Sequence, residues 1–273
     1  FVTLEDEFKN VSTSLCLATD DGSYGKNGFA INFLKDDIES KFKIEKPVDL
    51  KQGQRQGGKD IKVAESLDDV KEYFEEFDHA LCEKFIEGSE ISIEVLGYNG
   101  EYVPLSPIYK GETTLEGIHP LNKIKTAPCL VEGLDNNLVQ RTAYKVAKNL
   151  GSDGIFEMDF MFSKDEQQLY AIEVNTRPNG TRYLTTATCG VNSLCELVNM
   201  AAGKFSIKDI QDKLEYYYAT EIPIGHYKGP DLNEPLKSFK NNDWVVHGPE
   251  GYQRITIRAD SKEQLDRYVE DLI

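Results

Sequence analysis

The stretch GIFEMDFMFSKDEQQLYAIEVNTRPNGT, Gly154 to Thr181, decides the fold of this chain. From Ile155 to Phe162 the residues alternate. Phe156, Met158, Phe160 and Phe162 make one apolar face, while Ile155, Glu157, Asp159 and Met161 turn the other way. Leu169 to Asn175 divides likewise, with Tyr170, Ile172 and Val174 on one side and Glu173 and Asn175 on the other. The polar run Lys164–Gln168 between them reads as a hairpin loop. One antiparallel register sets Asp159 opposite Glu173, Glu157 opposite Asn175 and Phe160 opposite Ile172. A slip of one residue would split the acids between the two faces. Asp159, Glu173 and Asn175 then converge on one surface. Carboxylates that close repel unless a cation or proton lies between them. Two carboxylates and an amide oxygen, with no His or Cys, suit Mg²⁺ shared with substrate phosphates, with Mn²⁺ as the alternative. A solvated hairpin face is the competing interpretation.

The surrounding composition narrows the partners. A chain of 273 residues can build one large domain or two modest ones. Its net charge of −16 argues against nucleic acid or an anionic membrane as partner. A site for a phosphorylated ligand must therefore be locally basic against the global field. No apolar run is long enough to span a bilayer and no signal peptide is visible, so a cytoplasmic location is expected. The first residue, Phe1, is not Met, which suggests a fragment. Cys16, Cys82, Cys129, Cys189 and Cys195 form no CxxC pair and read as free thiols in a reducing compartment.

Along the chain, Phe29–Leu34 suggests a short helix and the DDIES run after it a loop. A strand is expected to end at Lys46 before Pro47. A glycine-rich excursion and a second strand through Ile61 and Val63 follow. Ser66 caps an amphipathic helix, with Val70, Tyr73, Phe74 and Phe77 inward, that stops near Asp78. Ile91, Ile93 and Val95 share one face of a strand, and Glu90, Ser92 and Glu94 the other. That strand is joined through Asn99-Gly100 to a partner over 101–108. Residues 109–134 look irregular. Helices are expected over Leu138–Leu150, terminated by Gly151, and over Ser193–Ala202. Strands at Trp244–His247 and Ile255–Ile257 and a helix through Leu272 close the chain. The four histidines, His79, His119, His226 and His247, read as loop or surface residues.

Gly53–Asp60, GQRQGGKD, has the spacing of a P-loop but fails as one. Asp60 stands where a hydroxyl should meet Mg²⁺, and a strand follows where a helix should. What remains is a hairpin of small residues able to bring backbone N–H groups and Lys59 near phosphates.

Three separated signatures line up: EKP with its glycine-rich hairpin, CEKFIEGSEISIEV, and MDFMF…AIEVNTRPNGT. In this order they resemble the ATP-grasp superfamily, over roughly residues 41 to 205. The resemblance implies an α+β fold of two α/β lobes clamping ATP, with a small C-terminal α/β appendage. It divides the chain into a remnant or linker of a substrate domain at 1–40, a small lobe at 41–97, a large lobe at 98–205 and a C-terminal segment at 206–273. By the same resemblance Lys46, Gly57, Gly58 and Lys59 contact ATP phosphates. Glu83 lies near the adenine amino group, Lys84, Phe85 and Ile86 form the hinge at the adenine edge, and Glu90 accepts the ribose hydroxyls. Asp159, Glu173 and Asn175 match the magnesium positions, whereas Glu157 is only their neighbour. Arg177 and Asn179 match the acceptor loop, and Lys125, with Lys123, a substrate- or phosphate-facing position. Lys26 is the candidate for a further family lysine.

The implied activity is an ATP- and Mg²⁺-dependent ligase. It joins a small-molecule carboxylate to an amine through an acyl phosphate and releases ADP and phosphate. Bicarbonate activation of the carbamoyl phosphate synthetase kind is the alternative, and a non-catalytic ATP-binding module the second alternative. The resemblance also admits a homodimer.

Overall fold

The alternation that marks Ile155–Phe162 as a strand is met in a computed structural model of the chain. It describes residues 18–19, 26–27, 46–52, 60–112, 122–225, 243–248 and 251–272. The chain divides into two compact units, Phe1–Phe85 and Ile86–Ile273.

In the first unit, β1 (Ala18–Thr19) and β2 (Lys26–Asn27) pair in parallel. A second sheet holds β3 (Val48–Lys51), β4 (Lys62–Ala64) and, after helix α1 (Leu67–Glu76), β5 (Leu81–Lys84), with β3 in the centre. The strand expected to end at Lys46 instead begins after Pro47, whose missing N–H suits a position outside the ladder. Ser66 and Asp69 close a reciprocal capping box at the start of α1. Val70 and Tyr73 pack from the helix onto Leu50 and Ala64. The helix expected at Phe29–Leu34 and the loop bearing Gly57, Gly58 and Lys59 lie outside the described residues.

The second unit is organised by one sheet of nine strands. β6 (Ser89–Tyr98) turns through Asn99-Gly100 into β7 (Glu101–Pro104). The turn residues have φ of 51° and 80°, the left-handed conformation that Asn-Gly favours in tight hairpins. β8 (Ile108–Tyr109) begins at the end of the strand expected over 101–108, and β9 (Lys125–Ala127) comes out of the stretch expected to be irregular. Helix α2 (Asn136–Leu150) is capped by Asp135 and ended by left-handed Gly151. The opening hairpin follows as β10 (Gly154–Ser163) and β11 (Gln168–Asn175).

Helices α3 (Arg182–Cys189), α4 (Ser193–Ala201) and α5 (Ile207–Lys213) come next, of which only α4 is expected from the sequence. The chain then returns to the sheet through β12 (Tyr218–Gly225), β13 (Trp244–His247) and β14 (Gln253–Ala259), ending in α6 (Lys262–Leu272). The strand order is β11-β10-β6-β8-β9-β12-β14-β13, with β7 branching from β6. The C-terminal segment thus continues the large sheet. The lobe boundary expected at 97/98 falls inside the β6–β7 hairpin, and the compact units part at Phe85/Ile86.

The period of two decides which side chains meet which helices. Ile91, Ile93 and Val95 join Phe156, Met158, Phe160 and Phe162 beneath Val139, Ala143 and Ala147 of α2. The opposite face carries Glu90, Ser92 and Glu94 on β6 with Glu157 and Asp159 on β10. That face is covered by the polar starts of α3 and α4, which contribute Thr181 and Ser193.

Candidate active site

The β10–β11 register is Glu157 opposite Asn175 and Asp159 opposite Glu173, as the alternation predicts. A bulge between Asp159 and Phe160 then sets Phe160 opposite Ala171, not Ile172. Ile172 and Val174 are exposed on this edge strand. Glu173 is exposed too, and the Asn175 Nδ2 amide donates to Glu173 Oε1 at 2.8 Å.

Asp159 is 3% exposed, and its Oδ1 is buried without a hydrogen-bond partner among the described residues. Its Oδ2 accepts from Lys110 Nζ at 2.8 Å. Lys110, which the sequence does not single out, also sits 2.6 Å from Glu90 Oε1, and Lys123 Nζ donates to Glu90 Oε2 at 3.0 Å. Burial works to neutralise Asp159, Glu90 and Lys110, and the pairing opposes it. Burial pushes the Asp159 carboxyl up against the pull of Lys110. Burial would also raise Glu90, yet the two lysines hold it below the usual carboxylate range. Burial would lower the Lys110 ammonium, but Asp159 and Glu90 carry it above the usual lysine range.

β6 lies on the inner side of β10 and brings a second acid opposite the first: Glu94 faces Glu157, and Ser92 faces Asp159. Both glutamates are 0% exposed. Ser92 Oγ and Thr181 Oγ1 each donate to Glu157 Oε1 at 2.6 Å. Thr181, the N-cap of α3, makes no side-chain cap bond, because its hydroxyl is committed to Glu157. The loop Asn175–Thr181 is therefore pinned to β10 through Glu157, two residues from Asp159. Ser193 Oγ donates to Glu94 Oε1 at 3.4 Å, and burial pushes the Glu94 carboxyl up to about 7.

Along the loop, Arg177 is exposed, and Asn179 accepts from its neighbour Gly180 N through Oδ1 and from Arg182 Nη1 through its backbone carbonyl at 2.8 Å.

Lys125 belongs to a different group. Its Nζ is 3.1 Å from Glu221 Oε1, and Arg254 Nε lies 2.8 Å from the same oxygen. His247 Nε2 lies 3.3 Å from Glu221 Oε2 and 2.8 Å from Thr256 Oγ1, with its ring stacked on Tyr183 at 3.9 Å. Glu221 is 0% exposed. Burial would raise its carboxyl, but His247, Lys125 and Arg254 hold it down at about 2. His247 is 8% exposed, which corrects its reading as a loop or surface residue. It occupies an inward position of β13, where the strand alternation buries Val245 and His247.

In the first unit, Lys46 is exposed just before Pro47. Glu83 sits on β5 opposite Asp49 and pairs with Lys51. Lys84 is exposed beside it, and Phe85 N donates to Pro47 O at 3.3 Å. Ile86 opens the second unit. Lys26 is placed only as part of β2.

The donor set fits a hard divalent cation that arrives with phosphate oxygens. Among the described residues no group of three or more His, Cys, Asp or Glu is arranged to hold a metal alone. Asp159 Oδ1, Glu173 and Asn175 offer oxygen donors of the kind such a cation takes for part of its shell, with nucleotide oxygens completing it.

Comparisons with known proteins identify the family of the chain. The family model described as the carbamoyl-phosphate synthase L chain, ATP-binding domain, matches residues 26–206. A protein of Methanobrevibacter smithii named carbamoyl-phosphate synthase is 97% identical over 239 residues, covering 88% of this chain and 65% of that protein. Among solved structures, biotin carboxylase from Campylobacter jejuni, in complex with a nucleotide, has a TM-score of 0.65 at 18% identity. The match covers 82% of this chain and 56% of that one. The biotin carboxylase domain of Hydrogenobacter thermophilus 2-oxoglutarate carboxylase, a dimer with MgADP and bicarbonate, has a TM-score of 0.64 at 21% identity, covering 87% and 58%. The chain spans less than two thirds of each of these relatives.

Proposed function

The chain belongs to the carbamoyl-phosphate synthase L chain ATP-binding family of the ATP-grasp superfamily, and from that premise we propose an ATP- and Mg²⁺-dependent ligase. The observation that carries it is the buried, unpartnered Asp159 Oδ1 in register with Glu173 and beside Asn175. These three residues hold the cation that neutralises the phosphate tail. Lys110 and Lys123 lie at the same face and screen the charge that develops on the transferred phosphoryl oxygens. Lys46, Gly57, Gly58, Lys59, Glu83, Lys84, Phe85, Ile86 and Glu90 are assigned to the nucleotide as the family resemblance implies.

A carboxylate oxygen attacks the γ-phosphorus, the bond to the β-phosphate oxygen breaks, and ADP leaves. An amine then attacks the acyl carbon, loses a proton and displaces phosphate. The protein's own part is to position and to exclude water. Glu157 holds the acceptor loop through Thr181, and Arg177 and Asn179 face the acyl phosphate. Bicarbonate as the carboxylate is the second reading, favoured by the name of the Methanobrevibacter relative and by the NTRP run.

The proposal places the chain in a reducing cytoplasm, in keeping with free thiols at Cys82, Cys129, Cys189 and Cys195. Among the described residues no helix is long and apolar enough to cross a membrane. It also takes a homodimer as the assembly, which light scattering tests.

The functional test is Mg²⁺-dependent ADP release across carboxylic acids and amines, with and without bicarbonate, in the wild type and in Glu173→Ala. ADP release that Glu173→Ala leaves unchanged refutes the assignment. Release that requires bicarbonate selects the second reading.

A further inference from the structure

Arg254 is the one guanidinium of the Glu221 group, and it is 4% exposed. Its Nε lies at ion-pair distance from Glu221, 2.8 Å from Oε1, yet neither Nε nor Nη1, both buried, has a hydrogen-bond partner among the described residues. A buried, unmatched N–H on a charged group is costly and persists where something else repays it. Nη2 lies 4.0 Å from the position a Cβ on Gly180 would take, so this end of the guanidinium abuts the acceptor loop. Gly180 carries no side chain to fill the space between the loop and Nη2.

The charges around it are unbalanced. Lys125 and Arg254 both face the single carboxylate of Glu221, so the group keeps at least one positive charge whatever the state of His247. This excess stands inside a chain of net charge −16. Glu221 pairs with the guanidinium through its charge, which leaves the buried N–H groups of Arg254 as unmatched donors beside Gly180. That geometry matches a planar oxyanion, which accepts two parallel N–H bonds.

We propose that Arg254 binds the carboxylate of the second substrate, a small planar oxyanion such as bicarbonate or an organic carboxylate. Glu221 acts as the positioning residue and Lys125 as its counterion. The inference rests on the ligase reading for the identity of the ligand, but the anion site stands on geometry of its own. It replaces the direct substrate role assigned to Lys125 with one exerted through Glu221.

The test has two arms, both on the full chain, using Arg254→Gln and the charge-keeping Arg254→Lys. In the first, ADP release is followed with Mg-ATP fixed and bicarbonate or acetate varied. Arg254→Gln raises the KM for the productive anion by about tenfold or more and leaves the KM for ATP within about twofold, and Arg254→Lys falls between. The second arm needs no turnover. The protein broadens the ¹³C resonance of labelled bicarbonate or acetate, and Arg254→Gln abolishes the broadening. If the wild type releases no ADP with any acceptor, the ligase reading fails and the second arm alone decides the anion site. An unchanged KM for the anion overturns the proposal. So does broadening that survives in Arg254→Gln, that inorganic phosphate alone produces on its ³¹P resonance, or that the wild type never shows. Circular dichroism melting confirms that the variants fold. If Arg254→Gln does not, Arg254→Lys carries both arms, and wild-type values in it overturn the proposal.

Discussion

Glu157→Gln should stabilise this protein, and Glu157→Ala should damage it. Glu157 Oε1 accepts from Ser92 and Thr181, while Glu157 Oε2 and Glu94 Oε2 are both buried without partners across the β6–β10 ladder. Alanine strands two buried hydroxyls and leaves a void, a loss of about 2–4 kcal/mol. Glutamine keeps the accepting oxygen and turns an N–H toward the unpartnered Glu94 oxygen. A hydrogen bond to a charged group contributes about 1.5–3 kcal/mol, and weakening of the two hydroxyl bonds takes back about half. The net gain is about 1 kcal/mol, or about 2–4 °C in Tm for a unit of this size.

The pH dependence supplies an internal check. Burial first, with the Glu157 charge adding to it, raises the folded Glu94 carboxyl from 4.5 to about 7. Between those values the folded protein holds a proton that the unfolded chain has released, so wild-type stability falls as pH rises. Removing the Glu157 charge relieves part of that fall. The advantage of glutamine over wild type must therefore grow from pH 5 to pH 8. Thermal melting across this range measures it, and hydrogen exchange at β6 and β10 amides assigns the transition to this sheet. A Glu157→Gln variant as unstable as Glu157→Ala, or an advantage flat with pH, refutes the reasoning.

Three further outcomes follow from the same site. Lys110→Met leaves Asp159 and Glu90 without their shared cation, costing about 3–5 kcal/mol, and Mg²⁺ should raise its Tm more than it raises the wild type's. Glu221→Gln should flatten the acid limb of the stability curve. The wild-type carboxyl drops from 4.5 to about 2 on folding, a contribution on the order of 3 kcal/mol that is whole above the unfolded value and lost as pH falls toward 2. Gly111→Ala forces a Cβ to within 2.3 Å of Ile124 O at a φ of +87°. A loss of about 2 kcal/mol or more, read by melting, should accompany displacement of the adjacent Lys110.

The parts legible in the sequence were those with a local signature. The alternation at 155–162 specified both faces of β10, because a slip of one residue exchanges them. Asn99-Gly100, Ser66 and Gly151 marked a hairpin and two helices by turn and cap chemistry. The bulge after Asp159 left no such mark, and it cost the Phe160–Ile172 pair. Strand order was equally hidden. That β6 lies against β10, and so Glu94 against Glu157, is a contact across more than sixty residues. Lys110 stood in a stretch with no periodicity, and its partners come from two different strands. Glu221, Arg254 and His247 are scattered over β12, β14 and β13, so only the closed sheet brings them to Lys125. A lone charged residue in a strand reads as solvated until its neighbours are known.

The sheet order also explains how so acidic a chain can gather anions. β8 and β9 separate β6 from β12, and the lysines that flank or occupy them reach both ways. Lys110 and Lys123 turn to Glu90 on β6, whereas Lys125 turns to Glu221 on β12. Each acid along this seam already has its counterion. The bulk of the net negative charge therefore sits elsewhere on the molecule. Arg254, added from β14, tips the seam from neutral to positive beside Gly180. If that balance is what admits the second substrate, Glu221→Gln should change anion binding as well as acid stability. With its oxygen retained but its charge removed, the seam gains one more positive charge, and a fork that stays in place would bind the oxyanion more tightly. Weaker binding in that variant would mean that Glu221 acts by aiming Arg254. Tighter binding would refute that positioning role and leave Glu221 only the task of limiting the charge.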